Sequence, residues 1–285
     1  MKKNITLFIT GLLMVNQLCY SQMLDKAQIE VLYDSKMVTN RLEPERKTKD
    51  EVILLIGSKY TAYFSFMNYI ADSLKKENPA EYMPQITDDN GRTITGKSNE
   101  TLGELTDRNG ISSIKIGKPR TKSSYNQYNK GHYLINRKSN ELMFSDIVFD
   151  MQSMQINYFS YTEILEKPKW EISTDTDTVA GYRCQKATTN YGGRDWTVWF
   201  TNEIPVSEGP WKLRGLPGLI LKAETADGEI SLTATSIIRS FGRTIAKDQE
   251  NNYRELSKKD LFKLTKEAWQ NPYRPIEYNF IEILK

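Results

Sequence analysis

From His132 to Ile237 the chain divides into successive runs of strand length, and this pattern limits the fold more than any other feature of the sequence. The runs are His132 to Ile135, Asn140 to Val148, Met154 to Tyr161, Trp170 to Ser173, Gly181 to Thr189, Trp196 to Thr201, Gly218 to Glu224 and Glu229 to Ile237. Gly192-Gly193 joins two of them and Asp227-Gly228 another two, dipeptides that accept the positive φ angles of tight hairpin turns. Successive hairpins build an antiparallel sheet, whereas a parallel sheet would need helices between its strands. The expected fold class is therefore α+β and β-rich: a curved antiparallel sheet, at its most curled a half-barrel, with one or two helices packed on it.

The first half of the chain is less regular. Ala27 to Tyr33 alternates with period two and reads as a strand, Arg41 to Asp50 as a loop, and Glu51 to Ile56 as a short strand ending at Gly57. From Tyr60 to Lys76 the residues Tyr63, Phe66, Met67, Ile70 and Leu74 recur at spacings of three and four, which predicts an amphipathic helix. Glu77 to Tyr128 is polar and rich in turn residues, with one candidate strand at Ile111 to Ile116, and reads as a lid or an insertion. Ser257 to Gln270 is a second expected helix, with Ser257 as N-cap, Asp260 three residues on, and Leu261, Leu264 and Ala268 as its apolar face. No repeat or low-complexity linker interrupts the chain, so residues 22–285 are expected to form one domain.

The N-terminus carries an address. Lys2 and Lys3 precede an apolar run from Ile5 to Val15, too short to span a membrane, and Cys19 and Ser21 stand where a signal peptidase reads small residues. Cleavage is expected before Gln22, which sends the chain to the periplasm, the outer membrane or the exterior. Lipidation at Cys19 is the alternative, with Leu18 in a place where a lipobox carries a small residue. Removing Met1 to Ser21 discards two lysines and no acid, so the formal charge of +3 falls to about +1. Such a chain lacks the concentrated positive field that nucleic-acid binding requires, and no later segment reads as transmembrane. Cys184 is then the sole remaining cysteine, so stability must come from packing, with Cys184 either a small buried hydrophobe or a reactive thiol.

Few residues suggest catalysis. His132 is the single histidine. It lies in Gly-His-Tyr without a nucleophile elbow nearby, and Cys184 sits mid-strand rather than at a helix N-terminus that would activate it. One Cys and one His do not make a zinc site, the acidic turns at Asp88 to Gly91 and Asp175 to Asp177 do not continue into a calcium loop, and no phosphate-cradling glycine pattern occurs. No catalytic, cofactor-binding or metal-binding residue is therefore assigned, and no cofactor is expected.

Gly181 to Leu221 holds the most distinctive text of the chain. Gly215-Leu216-Pro217-Gly218-Leu219-Ile220 follows Gly181-Tyr182-Arg183-Cys184, the Gly193-Arg194 pair, Trp199, Ile204-Pro205 and Gly209-Pro210-Trp211. In this order the segment resembles the GLPGLI family of exported proteins of Gram-negative bacteria. That resemblance implies no established activity, cofactor or ligand. Read physically, Pro217 and Gly218 suit a type II turn with positive φ at Gly218, launching a strand whose Leu219 and Leu221 point one way and Ile220 and Lys222 the other. Gly209, Pro210 and Gly215 would bend the chain so that Trp211 and Leu213 cap the core. The motif is thus either a fold-defining corner or an interaction surface built on one.

The aromatic residues Tyr63, Phe64, Phe66, Tyr158, Phe159, Tyr161, Trp196, Trp199 and Trp211 offer abundant flat surface. The expectation for function is a non-enzymatic carrier of an apolar ligand or lipid. One alternative is a module that docks an outer-membrane receptor or transporter through Glu203 to Leu213, an idea that requires an accessible Trp211, and another is a hydrolase of unrecognised geometry, which a pocket uniting His132 with Cys184 or two acids would support.

Overall fold

The computed structural model describes residues 23–66, 86–87, 93–94, 131–150, 155–239, 242–247, 253–268 and 280–283. In chain order the strands are β1 (Met23–Val38), β2 (Lys47–Gly57), β3 (Tyr60–Ser65), β4 (Ile86–Thr87), β5 (Thr93–Ile94), β6 (His132–Asn136), β7 (Glu141–Asp150) and β8 (Gln155–Ile164). They continue as β9 (Glu171–Val179), β10 (Tyr182–Tyr191), β11 (Arg194–Thr201), β12 (Leu219–Thr225), β13 (Ile230–Arg239), β14 (Thr244–Ala246) and β15 (Arg254–Glu255), followed by helix α1 (Lys258–Ala268).

All but β4 and β5, which pair with each other, join one open, curved 13-stranded sheet in the order β15-β8-β7-β6-β3-β2-β1-β13-β12-β11-β10-β9, with β14 on the end of β1. Every pairing is antiparallel except the two-residue β15–β8 ladder. The β-rich expectation therefore holds, and both glycine dipeptides lie in hairpins. Gly192 and Gly193 take φ of 60° and 76° between β10 and β11, and Gly228 takes 69° between β12 and β13.

The helix expected from Tyr60 is corrected at its start: Tyr60–Ser65 is a strand, β3, between β2 and β6. Its remainder, like the Ile111 to Ile116 strand and most of the Glu77 to Tyr128 segment, lies outside the described residues. Helical spacing misled because both faces of β3 are covered, so Thr61, Ala62 and Tyr63 are buried in succession and the period-two signature vanishes. The same two-sided burial explains the unbroken apolar run in β2. Val52, Leu54 and Ile56 enter the main core with Val31, Tyr33 and the strands β11 to β13, while Ile53 and Leu55 face a second cluster with Ala27, Ala62, Phe66 and Leu134.

At the other end of the sheet, α1 closes a third cluster. Leu261 is buried and Leu264 partly so, against Leu142, Phe144, Phe159 and Tyr161 of β7 and β8. The cap forms as expected: the Asp260 amide donates to Ser257 Oγ at 3.1 Å, and that hydroxyl donates to the Asp260 carboxylate at 2.6 Å. This places the first turn of α1, with Lys258, beside the end of β8.

Candidate functional site

Between β11 and β12 the chain makes a loop, residues 202–218, that reaches from this half of the sheet to β8 in the other. Its backbone is held at its own neck, where the Leu219 amide donates to Ile204 O at 3.0 Å and the Ile220 amide to Glu208 O at 3.0 Å. From beneath, the Tyr33 hydroxyl of β1 donates to Ile220 O at 2.7 Å.

The motif residues occupy this loop and the strand it launches, in a geometry partly different from the expected turn. Gly218 has no positive φ; that conformation falls on Gly215, at 100°. Gly218 is instead required by close approach, since a Cβ there would lie 2.0 Å from Thr201 O. Gly209 is similar, because a Cβ at that position would meet Leu213 O at 2.6 Å and Ile220 Cβ at 2.8 Å. Pro210 O accepts from the Leu213 amide at 3.2 Å, Leu216 O accepts from Ser207 Oγ at 2.5 Å, and Pro217 is exposed. Leu219, Ile220 and Leu221 are all buried, so both faces of β12 are covered at its start.

Trp211 is only 1% exposed, which removes the accessible anchor that the docking expectation needed. Its φ is 56°, a left-handed conformation that costs a bulky residue on the order of 1 kcal/mol or more and persists only under strong packing. That packing comes from Trp196 and Tyr191, whose ring centroids lie 5.7 and 5.8 Å away. The buried indole N–H faces the Tyr133 hydroxyl, the oxygen available to accept from it.

The next residue carries the charge. Lys212 has a side chain only 2% exposed, and its ammonium donates to Glu163 Oε1 of β8 at 2.5 Å and to Glu282 Oε2 at 2.7 Å. Lys258, from the first turn of α1, donates to Glu163 Oε2 at 2.9 Å and also to Glu282 Oε1. Two ammonium groups and two carboxylates thus alternate in a closed ring, against the faces of Tyr161 and Trp211, whose centroids lie 5.9 and 5.5 Å from Lys212 Nζ.

Burial pulls Lys212 below its usual value, only partly offset by Glu282 and Glu163. Burial also pushes Glu163 up, but Lys212 and Lys258 outweigh it and hold the carboxyl below the usual range. For Lys258 desolvation is likewise overcome, by hydrogen bonds to Glu282 and Glu163, and its value rises.

A second charged group braces the loop. Glu208 Oε1 accepts from Arg137 Nε and Arg214 Nη2, both at 3.0 Å, and Arg137 reaches on to Gly57 O. A third lies at the turn of the β10–β11 hairpin. There the buried Arg194 guanidinium donates to Asp227 (3.1 Å), Glu229 (2.9 Å), Ile281 O (3.1 Å) and Phe280 O (2.6 Å).

Cys184 is buried in β10, with its thiol pushed up to about 11 chiefly by that burial. His132 stacks on Phe64 at 5.0 Å and belongs to β6, which β3, β2, β1, β13, β12 and β11 separate from β10, so the two do not meet. Among the described residues no group of three or more His, Cys, Asp and Glu side chains could hold a metal ion.

A long curved sheet braced across its face by a charged loop defines a β-rich domain rather than a bundle or an alternating α/β fold. The chain belongs to the family described as N-glycanase peptide, N-terminal domain, of the PNGase F-II type, which matches residues 88–262. That match overturns the resemblance to the GLPGLI family, although the hexapeptide lies within the matched residues. It also overturns the expected roles of lipid carrier and receptor-docking module. Among solved structures the chain is similar to PNGF-II in a P21 crystal form, at 18% identity and a TM-score of 0.46, covering 86% of this chain and 34% of that one. The C2 form of PNGF-II gives 18% identity and a TM-score of 0.45, with 85% and 33% covered. This chain therefore spans about a third of the length of those proteins. No curated protein matches it.

Proposed function

We propose that this chain is a glycoprotein-recognition domain that serves the release of N-linked glycans. The observation that carries the reading is the family match, which covers more than half of the chain and includes Glu163, Trp211, Lys212 and Lys258.

Recognition is favoured over catalysis by the state of Glu163. A carboxyl acting as general acid near neutral pH needs its pKa raised, whereas two ammonium groups hold Glu163 in the opposite direction. The address fits the role as well. Lys2-Lys3, the apolar run from Ile5 to Val15 and the Ser21-Gln22 junction support export, to where a chain of this kind would meet glycoproteins.

The test is a biosensor comparison of one N-glycosylated protein with its deglycosylated form. Binding at least tenfold stronger to the glycosylated form is expected, without release of glycan by the domain alone. Equal binding to both forms, or to neither, overturns the proposal.

A further inference from the structure

Strand β11 carries one tryptophan that the core does not absorb. Trp196, Val198 and Phe200 are buried at 1%, 0% and 1% exposure, so the alternate residues Thr197 and Trp199 belong to the opposite face of the sheet. Trp199 also packs against the main core, which anchors its ring while part of it stays open to solvent. Its cross-strand neighbours are Lys186 of β10 and Lys222 of β12, one strand spacing of about 4.8 Å away on either side. Two residues along β11, Thr197 stands between Thr188 and Glu224. All of these side chains are partly exposed and, Trp199 apart, each ends in a hydrogen-bonding group.

The indole N–H sets Trp199 apart from the other described tryptophans. Trp170 and Trp196 donate theirs to Arg214 O and Tyr191 O, and that of Trp211 faces the Tyr133 hydroxyl. Among the described residues none accepts from Trp199.

Charge narrows what this surface can hold. Lys222 pairs with Glu224 at 3.0 Å and Lys186 with Asp175 at 3.4 Å, so each ammonium group beside the ring is matched within the sheet and the surface is locally neutral. A polyanion or a polycation meets no complementary charge there. An acyl chain or an apolar protein surface would strip water from four charged groups and give nothing back. A neutral sugar satisfies both conditions, because its C–H face stacks on an indole while its hydroxyls replace the water on lysine, threonine and glutamate.

We propose that the surface centred on Trp199 holds a neutral segment of an N-glycan. A pyranose stacks on the open part of the indole, donates hydroxyl hydrogens to Glu224, and accepts from Lys186, Lys222 and the Trp199 N–H. This rests on the glycoprotein-recognition reading and gives it a place on the molecule, among residues that lie within the family match.

The test titrates a neutral N-glycan core pentasaccharide, a sialylated oligosaccharide and maltopentaose into the wild type, Trp199→Ala, Trp199→Phe and Lys222→Gln. Calorimetry reads affinity and circular dichroism confirms folding. Trp199→Ala should weaken binding of the core glycan about tenfold and Trp199→Phe less, since a smaller ring remains. Lys222→Gln should weaken it about fivefold. Raising salt from about 50 to about 500 mM should leave the affinity within about twofold, because no net charge is neutralised. In the wild type, saturating core glycan should protect Trp199 from hydroxyl-radical oxidation, read by mass spectrometry, while Met23, 58% exposed, stays as reactive as before; this measurement decides the matter if the Trp199 variants do not fold. Unchanged affinity in Trp199→Ala, tighter and salt-sensitive binding of the sialylated sugar, equal binding of maltopentaose, or an unprotected Trp199 overturns this surface. If it fails while the N-glycosylated protein still binds preferentially, the broader reading stands; if that preference is also absent, both fall.

Discussion

Lys212 Nζ and Glu163 Oε1 meet at 2.5 Å although they are 49 residues apart in sequence and belong to opposite halves of the sheet, one on the loop entering β12 and the other on β8. The sheet is open by its hydrogen bonding, yet this pair and its neighbours tie its two halves together by charge. Removing one partner of such a pair leaves a buried charge unmatched, which costs far more than the pair itself contributes.

Lys212→Met should therefore lower the unfolding free energy by about 3 kcal/mol, because Glu163 and Glu282 would share Lys258 alone. Adding Glu163→Gln should cost less than the sum of the two single changes, since Lys258 and Glu282 then remain as a balanced pair. Urea denaturation of the two single variants and the double variant checks this; strictly additive losses would mean that the ring does not act as a unit.

Arg194→Lys keeps the positive charge but loses the planar fork that serves two carboxylates and two carbonyls at once. A loss of about 2 to 4 kcal/mol is expected. The Ile283 amide should exchange much faster in this variant than in the wild type, and native-state hydrogen exchange reads both effects.

Gly218→Ala and Gly228→Ala separate two reasons for a glycine. The first would place a methyl group 2.0 Å from Thr201 O, in backbone that cannot move aside, and should cost about 3 kcal/mol or prevent folding. The second has open space around the new methyl but a φ of 69°, and should cost about 1 kcal/mol. Comparing thermal midpoints distinguishes them, and equal shifts would contradict the packing argument.

The carboxyls of Glu163, Asp227 and Asp25 all lie below their ordinary values of 4.5, 3.8 and 3.8. In each case burial pushes upward and is outweighed, by Lys212 and Lys258 at Glu163, by Thr225, the Glu229 amide and Arg194 at Asp227, and by the Lys59, Tyr60 and Lys26 amides at Asp25. A carboxyl with a lowered folded value stabilises the fold above its unfolded value, and that contribution is lost as pH falls through the folded one. Unfolding free energy should thus be level down to about pH 5 and decline below about pH 4. On the alkaline side Lys258 and Lys212 shift in opposite directions and partly cancel. Burial, however, raises the Cys184 thiol and the phenols of Tyr33, Tyr63, Tyr133, Tyr161 and Tyr191 above their ordinary values of 9.0 and 10.0, so the unfolded chain ionises first and stability should fall steeply above those values. Denaturant titrations between about pH 2 and about pH 11 test both limbs.

The fold class was legible in the sequence because hairpin dipeptides and strand-length runs act locally. Gly192-Gly193 and Asp227-Gly228 give their turns away through backbone freedom alone. Segments buried on both faces were less readable. Tyr60 to Ser65 carries no alternation because neighbours cover it on both sides, and its aromatic spacing fits a helix equally well. The Pro217-Gly218 turn misleads for a related reason: glycine there answers to Thr201, a residue near in space, rather than to its own φ. Glu163, Lys212, Lys258 and Glu282 were invisible as a group. Each is an ordinary surface residue type, and only the curvature of the sheet brings them together. The one local hint was Lys212 and Arg214 alternating with Trp211 and Leu213 in a stretch otherwise built for burial.

The sheet order also bears on how the molecule assembles. β1 pairs with β13 from Ile29, opposite Arg239, to Met37, opposite Ile230, so this edge of it waits for a partner about 200 residues downstream. Until that strand arrives, the centre of the sheet is a row of unmatched amides and carbonyls. A sheet whose centre depends on so distant a pairing completes its fold slowly, with that edge the last to be matched.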